Sequence, residues 1–244
     1  MNTQGNMKNI PNFITSLNLM SGFIAIVFTA NGDLKTASWM ILAAMIFDFM
    51  DGFSARLLKA YSAIGKELDS LADIVSFGVA PGFIIYQLLL NSELHSQFNF
   101  HSDFLNSILL MMIPAIMPVF GALRLAIFNI DSSQSTTFRG LPIPGNAIMV
   151  ISIVLTQQYA HSELFNTITG SSFFLILLTI LLSLLMVSRI PLLSLKVSHL
   201  RFKGNEGRYI LIILAITAFA VFGVLSLPFI IPIYIFSSLI SLLI

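Results

Sequence analysis

Apolar runs near or above the roughly 18–20 residues that cross a bilayer follow one another along this chain, and only a membrane-embedded fold accommodates them. Hydrophobic residues make up 57% of the sequence, charged residues only 9%, and the mean hydropathy is +0.92. A soluble domain carries roughly 25% charged residues, so a water-exposed surface cannot be clothed here. Barrel strands alternate over short segments, whereas these runs are continuous. The pattern therefore predicts an all-α, polytopic transmembrane helical bundle. Met1–Ile10 is polar with one lysine and the apolar run behind it is long, which predicts a retained first helix and not a cleaved leader. The net charge of +1 suggests no nucleic-acid partner, and the absence of cysteine excludes disulfides, thiolate ligands and a Cys nucleophile.

Eight spans are expected, near 12–30, 36–58, 63–90, 104–129, 144–160, 171–190, 209–226 and 228–243. Only Ser226–Pro228 separates the last two, which predicts a tight helical hairpin with Pro228 and Pro232 in the first turn of the eighth helix. Pro114 and Pro118 fall inside the fourth span, where proline kinks a helix. An even number of spans puts both termini on one side. That side carries Lys8, Arg56, Lys59, Lys66, Arg124, Arg139, Arg189, Lys196, Arg201, Lys203 and Arg208, and the other carries Lys35 alone. By the positive-inside rule the basic side is cytoplasmic. The basic run from Lys196 to Arg208 reads as a loop facing anionic lipid. His95, His101 and His161 fall in external loops far from any acidic cluster.

Asp48, Asp51, Asp69 and Asp73 are acids near membrane depth, where a charge costs a few kcal/mol and usually serves a purpose. Asp48 and Asp51 are spaced i,i+3, and Asp69 and Asp73 i,i+4, so each pair shares one helix face. A short loop joins the two helices, which can then present both pairs to each other. Four facing carboxylates repel unless protonated or bridged by cations. Oxygen ligands at this density select a hard cation such as Mg²⁺, Mn²⁺ or Ca²⁺, and two such ions serve phosphoryl chemistry. Buried ion pairing to Arg56 would suffice for one acid, but with four acids and one arginine about three charges stay uncompensated. An ion-coupled transporter is the reading from another class. It predicts broken helices at the midplane and often a repeat, and neither is visible.

Asp48–Asp73 reads D-F-M-D-G-F-S-A-R-L-L-K-A-Y-S-A-I-G-K-E-L-D-S-L-A-D. It resembles the signature of the CDP-alcohol phosphotransferase family, D-x2-D-G-x2-A-R-x8-G-x3-D-x3-D, at every fixed position. Further stretches are similar to the family's phosphatidylserine-forming branch: Lys66–Gly82, Ala122–Asn129 and Arg139–Ala147. Gly145–Asn146 departs from the small residues expected there. The resemblance implies a six-helix core over residues 1–190, with 191–244 as a basic cytoplasmic loop and a C-terminal transmembrane hairpin.

The resemblance further implies that Asp48, Asp51 and Asp69 hold two Mg²⁺ or Mn²⁺ ions. Asp73 would contact metal and act as general base. Gly52, Ala55, Arg56 and Gly65 would line the CDP site with Arg56 on the diphosphate, and Asn12 and Thr15 are further nucleotide contacts. Asn12 serves equally as a helix cap. Arg124 and Arg139 are candidates for holding the acceptor, although a snorkelling residue explains Arg124 as well. The expected reaction moves a phosphatidyl group from CDP-diacylglycerol to serine. Glycerol 3-phosphate or inositol phosphate is the alternative acceptor, and ether-linked archaeal lipid the alternative donor. A homodimer in the cell membrane is implied, with its site near the cytoplasmic face.

Overall fold

The computed structural model describes residues 3–92, 104–130, 138–193 and 205–241. The expected loops at His95 and His101 and the stretch from Lys196 to Lys203 lie outside the described residues. Helices account for nearly all of the rest. They are α1 (Thr3–Ala30), α2 (Leu34–Leu57), α3 (Ala63–Asp73), α4 (Ala80–Leu90), α5 (Phe104–Ile130), α6 (Ile143–Tyr159), α7 (Glu163–Gly170), α8 (Ser172–Val187), α9 (Glu206–Phe222) and α10 (Ile230–Ile240). A π-helical segment, Ile74–Val79, joins α3 to α4, and a 3₁₀ segment, Gly223–Phe229, joins α9 to α10. Two strands of two residues each, β1 (Phe138–Arg139) and β2 (Pro191–Leu192), pair antiparallel.

Each expected span falls on helix over most of its described length. Four stretches are long and apolar enough to cross a membrane: Asn9–Ala30, Ala63–Leu90, Met111–Ile130 and Glu206–Ile240. The α7–α8 pair, bent by 67°, makes a fifth if it counts as one span. At 17 and 16 residues, α6 and α8 are shorter than the ~20 of a perpendicular crossing. Large apolar side chains such as Phe23, Phe173, Ile216 and Val221 are more than half exposed. So broad an apolar exterior suits a lipid solvent and would be an aggregation hazard in water. The protein is a multi-pass membrane protein.

Packing between the helices relies on small residues, as it must where lipid removes the hydrophobic drive for helices to associate. α1 and α2 run against each other along most of their lengths. They join through Gly32 at φ +79° and the cap at Asp33, whose carboxylate accepts the Thr36 N–H at 2.9 Å. Gly22 of α1 meets the π-helical segment so closely that an added Cβ would lie 2.7 Å from Ser76 Cα. The core at this crossing holds Ala25, Ala37, Ile41, Phe77 and Ala80, all fully buried. α5 runs unbroken through Pro114 and Pro118.

Glu206–Ile240 doubles back on itself. A Cβ on Gly207, at the start of α9, would lie 2.6 Å from Ser241 Cβ, just past the end of α10. Straight, 35 residues would span about 50 Å. The expected hairpin is therefore present, with its turn placed differently. α9 ends at Phe222 before Gly223 at φ +55°, and Pro228 lies in the 3₁₀ turn while Pro232 sits in the first turn of α10. Gly223 supplies the positive φ that stops α9, which moves the break ahead of the prolines.

Candidate active site

The acids meet where the end of α2 faces α3. Leu58–Ser62 links the two helices, and Ser62 caps α3 by accepting the Gly65 N–H at 2.9 Å. One carboxylate oxygen from each of Asp48, Asp51 and Asp69 lies within 4.8 Å of the other two. Asp51 is buried, and Asp51 Oδ2 and Asp69 Oδ1 are enclosed without a hydrogen-bond partner. Orphaned buried acceptors are costly, more so when charged. A hard cation would satisfy them, so the donor set fits the metal that the acids predict.

Asp73 stands apart from that triad, at the last residue of α3. The Asn18 amide donates to its Oδ1 at 3.3 Å. Asn18 is fully buried, and its own carbonyl accepts the Ser76 hydroxyl at 3.0 Å. The π-helical segment starts at the next residue. Such segments lose the regular i→i−4 ladder and gather at functional sites. The buried Asn146 amide donates to the Phe77 carbonyl of this segment at 3.2 Å. Asn146, a departure from the family pattern, thus braces the backbone just beyond Asp73. Sequence reading missed Asn18 and Ser76, because their roles depend on how α1 crosses the segment.

A cavity of about 200 Å³ opens beside the acids. Asn12, Thr15, Asp51, Gly52, Ala55, Gly65 and Asp69 line it, as do Tyr61, Ser62 and Lys66, which sequence reading did not propose. An added Cβ at Gly65 would lie 2.8 Å from Asn12 Oδ1 and 2.8 Å from Ser62 Oγ, so a side chain there would close the cleft. Asn12 sits inside α1, nine residues past its start, and does not cap it. Arg56 is exposed and absent from the lining, but its Nη1 would be 3.5 Å from a Cβ at Gly52.

Arg124 and Arg139 come together in a second cavity of about 500 Å³, joined by Arg189 and the residues Met186–Ser188 at the end of α8. Arg124 is only 8% exposed, its Nε has no partner, and its guanidinium lies 5.7 Å from the Phe128 ring centre. It is within electrostatic reach of Asp73. Arg139 rides on β1, and Gly140 behind it is at φ +74°, packed on the Met186, Ser188 and Leu185 carbonyls. Arg189, read from the sequence as a spare basic residue on the same side as the other two, joins them because the cavity gathers segments far apart in the chain. His161, at φ +46°, lies between α6 and α7, in the turn after Tyr159, whose ring Lys35 covers at 5.0 Å.

A family model described as CDP-alcohol phosphatidyltransferase matches residues 8–193. The chain belongs to this family. The match takes in the acid cluster and both cavities, and it stops before the α9–α10 hairpin. Among curated relatives of this CDP-alcohol phosphatidyltransferase is a CDP-diacylglycerol–serine O-phosphatidyltransferase of Helicobacter pylori. It is 34% identical over 84% of this chain and 78% of its own length. A protein of the same name from Methanocaldococcus jannaschii is 35% identical over 74% of this chain and 72% of its own. An archaetidylserine synthase of Methanothermobacter thermautotrophicus is 32% identical over 62% and 60%.

Proposed function

We propose that this enzyme transfers the phosphatidyl group of CDP-diacylglycerol to the hydroxyl of L-serine, giving phosphatidylserine and CMP. The observation that carries the reading is the junction of three sites. Asp51 and Asp69 of the acid triad line the glycine-lined cleft, and Asp73, one turn beyond Asp69 on the same helix, is within electrostatic reach of Arg124 in the arginine cavity. Relatives that bear the serine-transferring name support the choice of acceptor.

Asp48, Asp51 and Asp69, with Asp73 at their edge, would hold two Mg²⁺ or Mn²⁺ ions. When bound, these offset diphosphate charge and stabilise the departing phosphate. The cleft of Asn12, Thr15, Gly52, Ala55 and Gly65 admits the cytidine diphosphate, with Arg56 reaching the diphosphate from the rim. Arg124 and Arg139 hold the serine carboxylate and so aim its hydroxyl at Asp73. Asp73 takes the hydroxyl proton as the serine oxygen bonds to the lipid-side phosphorus. The bond from that phosphorus to the bridging oxygen breaks, and CMP leaves with the electron pair. A carboxylate is a weak base toward an alcohol, so positioning carries much of the effect. The acyl tails of the donor stay in lipid with its CDP headgroup at the cytoplasmic face, and serine arrives from that side. In this reading residues 1–190 form the catalytic core and the enzyme assembles as a homodimer.

Three arginines around one cavity exceed what a single carboxylate needs. That favours, as a second reading, the same transfer to a phosphorylated alcohol. One assay separates them. Purified protein receives CDP-diacylglycerol, Mn²⁺ or Mg²⁺, and radiolabelled serine, glycerol 3-phosphate or inositol phosphate in turn. Label moving from serine into lipid, with CMP released and turnover reduced at least about 10³-fold in Asp73→Asn, is the expected result. Transfer only to a phosphorylated acceptor would establish the second reading. No transfer to any acceptor by folded, metal-loaded protein would sink both.

A further inference from the structure

The C-terminal hairpin lies outside the matched family region, yet it holds the arm that carries Arg189 and pairs with the strand of Arg139. Beyond α8 the chain passes through Arg189 to the two residues of β2, whose only strand partner among the described residues is β1, with Arg139 opposite Pro191. Two residues of ladder are marginal on their own. The far side of the arm is secured by α10 instead. The Tyr234 hydroxyl donates to the Leu193 carbonyl at 2.8 Å, and the Leu193 N–H donates to Ser238 Oγ at 3.1 Å. Both polar groups of one residue are thus taken by one helix face, which does the work of a third strand. Tyr234 and Ser238 are buried, and Tyr234 also lies within electrostatic reach of Arg124. Gly207 of α9 closes the grip, since a Cβ there would lie 2.7 Å from Leu193 Cδ1.

We infer that the hairpin sets acceptor affinity: Tyr234 and Ser238 are positioning residues that fix the Arg189–Leu193 arm, and with it Arg139 and Arg189, against Arg124. The inference rests on the arginine cavity being the acceptor site. Neither residue touches substrate in this scheme. Loosening the arm lets two of the three cations drift while the acids and the nucleotide cleft, built from α1, α2 and α3, stay put.

The test is steady-state kinetics on full-length protein in detergent, with Mn²⁺ and each substrate varied in turn. Tyr234→Phe and Ser238→Ala each raise the serine KM about 3–10-fold, the worth of one lost hydrogen bond. The CDP-diacylglycerol KM stays within about twofold, and Ser238→Thr, which keeps a hydroxyl, restores the serine KM. Should Tyr234→Phe fail to fold, Ser238→Ala with its threonine rescue decides alone. An unchanged serine KM, or an equal rise in both KM values, would overturn the inference. Arg139→Gln and Arg189→Gln, assayed alongside, separate the two levels. If they raise the serine KM and the hairpin variants do not, the hairpin inference alone fails. If they too leave it unchanged, the acceptor assignment fails and takes the inference with it.

Discussion

Asp73 is held differently from the other three acids. Its neighbours Asp48, Asp51 and Asp69 converge on one point, whereas Asp73 is fixed from α1 by Asn18, which is fixed in turn by Ser76. In the proposed reaction, a base that must meet an incoming hydroxyl needs this kind of orientation more than it needs charge. Asn18→Ala is expected to lower kcat about 10–100-fold, the usual cost of losing an outer partner of a catalytic group. The KM values for both substrates should change little. A raised KM with intact kcat would mean that Asn18 shapes a binding site instead. The spacing of three and four residues made the acids legible in the sequence, because helical geometry alone brings such pairs to one face. Asn18 was not legible, since its partner is 55 positions away.

Among the elements, the long helices were readable from apolar length and the short ones were not. α7 has eight residues, too few to display a helical period, and it was absorbed into a loop. The β1–β2 pair has two residues per strand, below any alternation that could be recognised. Yet this pair orders Arg139, and its geometry depends on Gly140. Gly140→Ala forces a side chain into φ +74°, with Cβ 2.6 Å from the Met186 carbonyl, a backbone atom that cannot move aside cheaply. The backbone conformation alone costs about 1–3 kcal/mol. The variant is expected to show a lower Tm in detergent and a weakened response to serine, read by thermal melting with and without acceptor. A Tm equal to that of the parent would mean that the β1 turn is not built as described.

For the whole molecule, the acid cluster is a strain that binding relieves. Three carboxylate oxygens within 4.8 Å repel one another unless a cation bridges them, so a bound divalent ion should stabilise the entire fold. Stabilisation grows as RT ln(1 + [L]/Kd), about 2.7 kcal/mol at a hundredfold excess over Kd. Chelator-treated protein is expected to gain several degrees in Tm on adding Mn²⁺, and Asp51→Asn and Asp69→Asn to lose that gain. A Tm indifferent to Mn²⁺ and Mg²⁺ would remove the metal from the scheme.

The grip of α10 on Leu193 spans 41 and 45 residues of chain. During synthesis at about 5–20 residues per second, the acid cluster and the glycine-lined cleft have been made roughly ten to thirty seconds before Tyr234 and Ser238 exist to seize the arm. The nascent protein would therefore pass through a stage that can take up CDP-lipid but holds its acceptor poorly. In the proposed scheme, competence for the second substrate arrives only once α10 has been made.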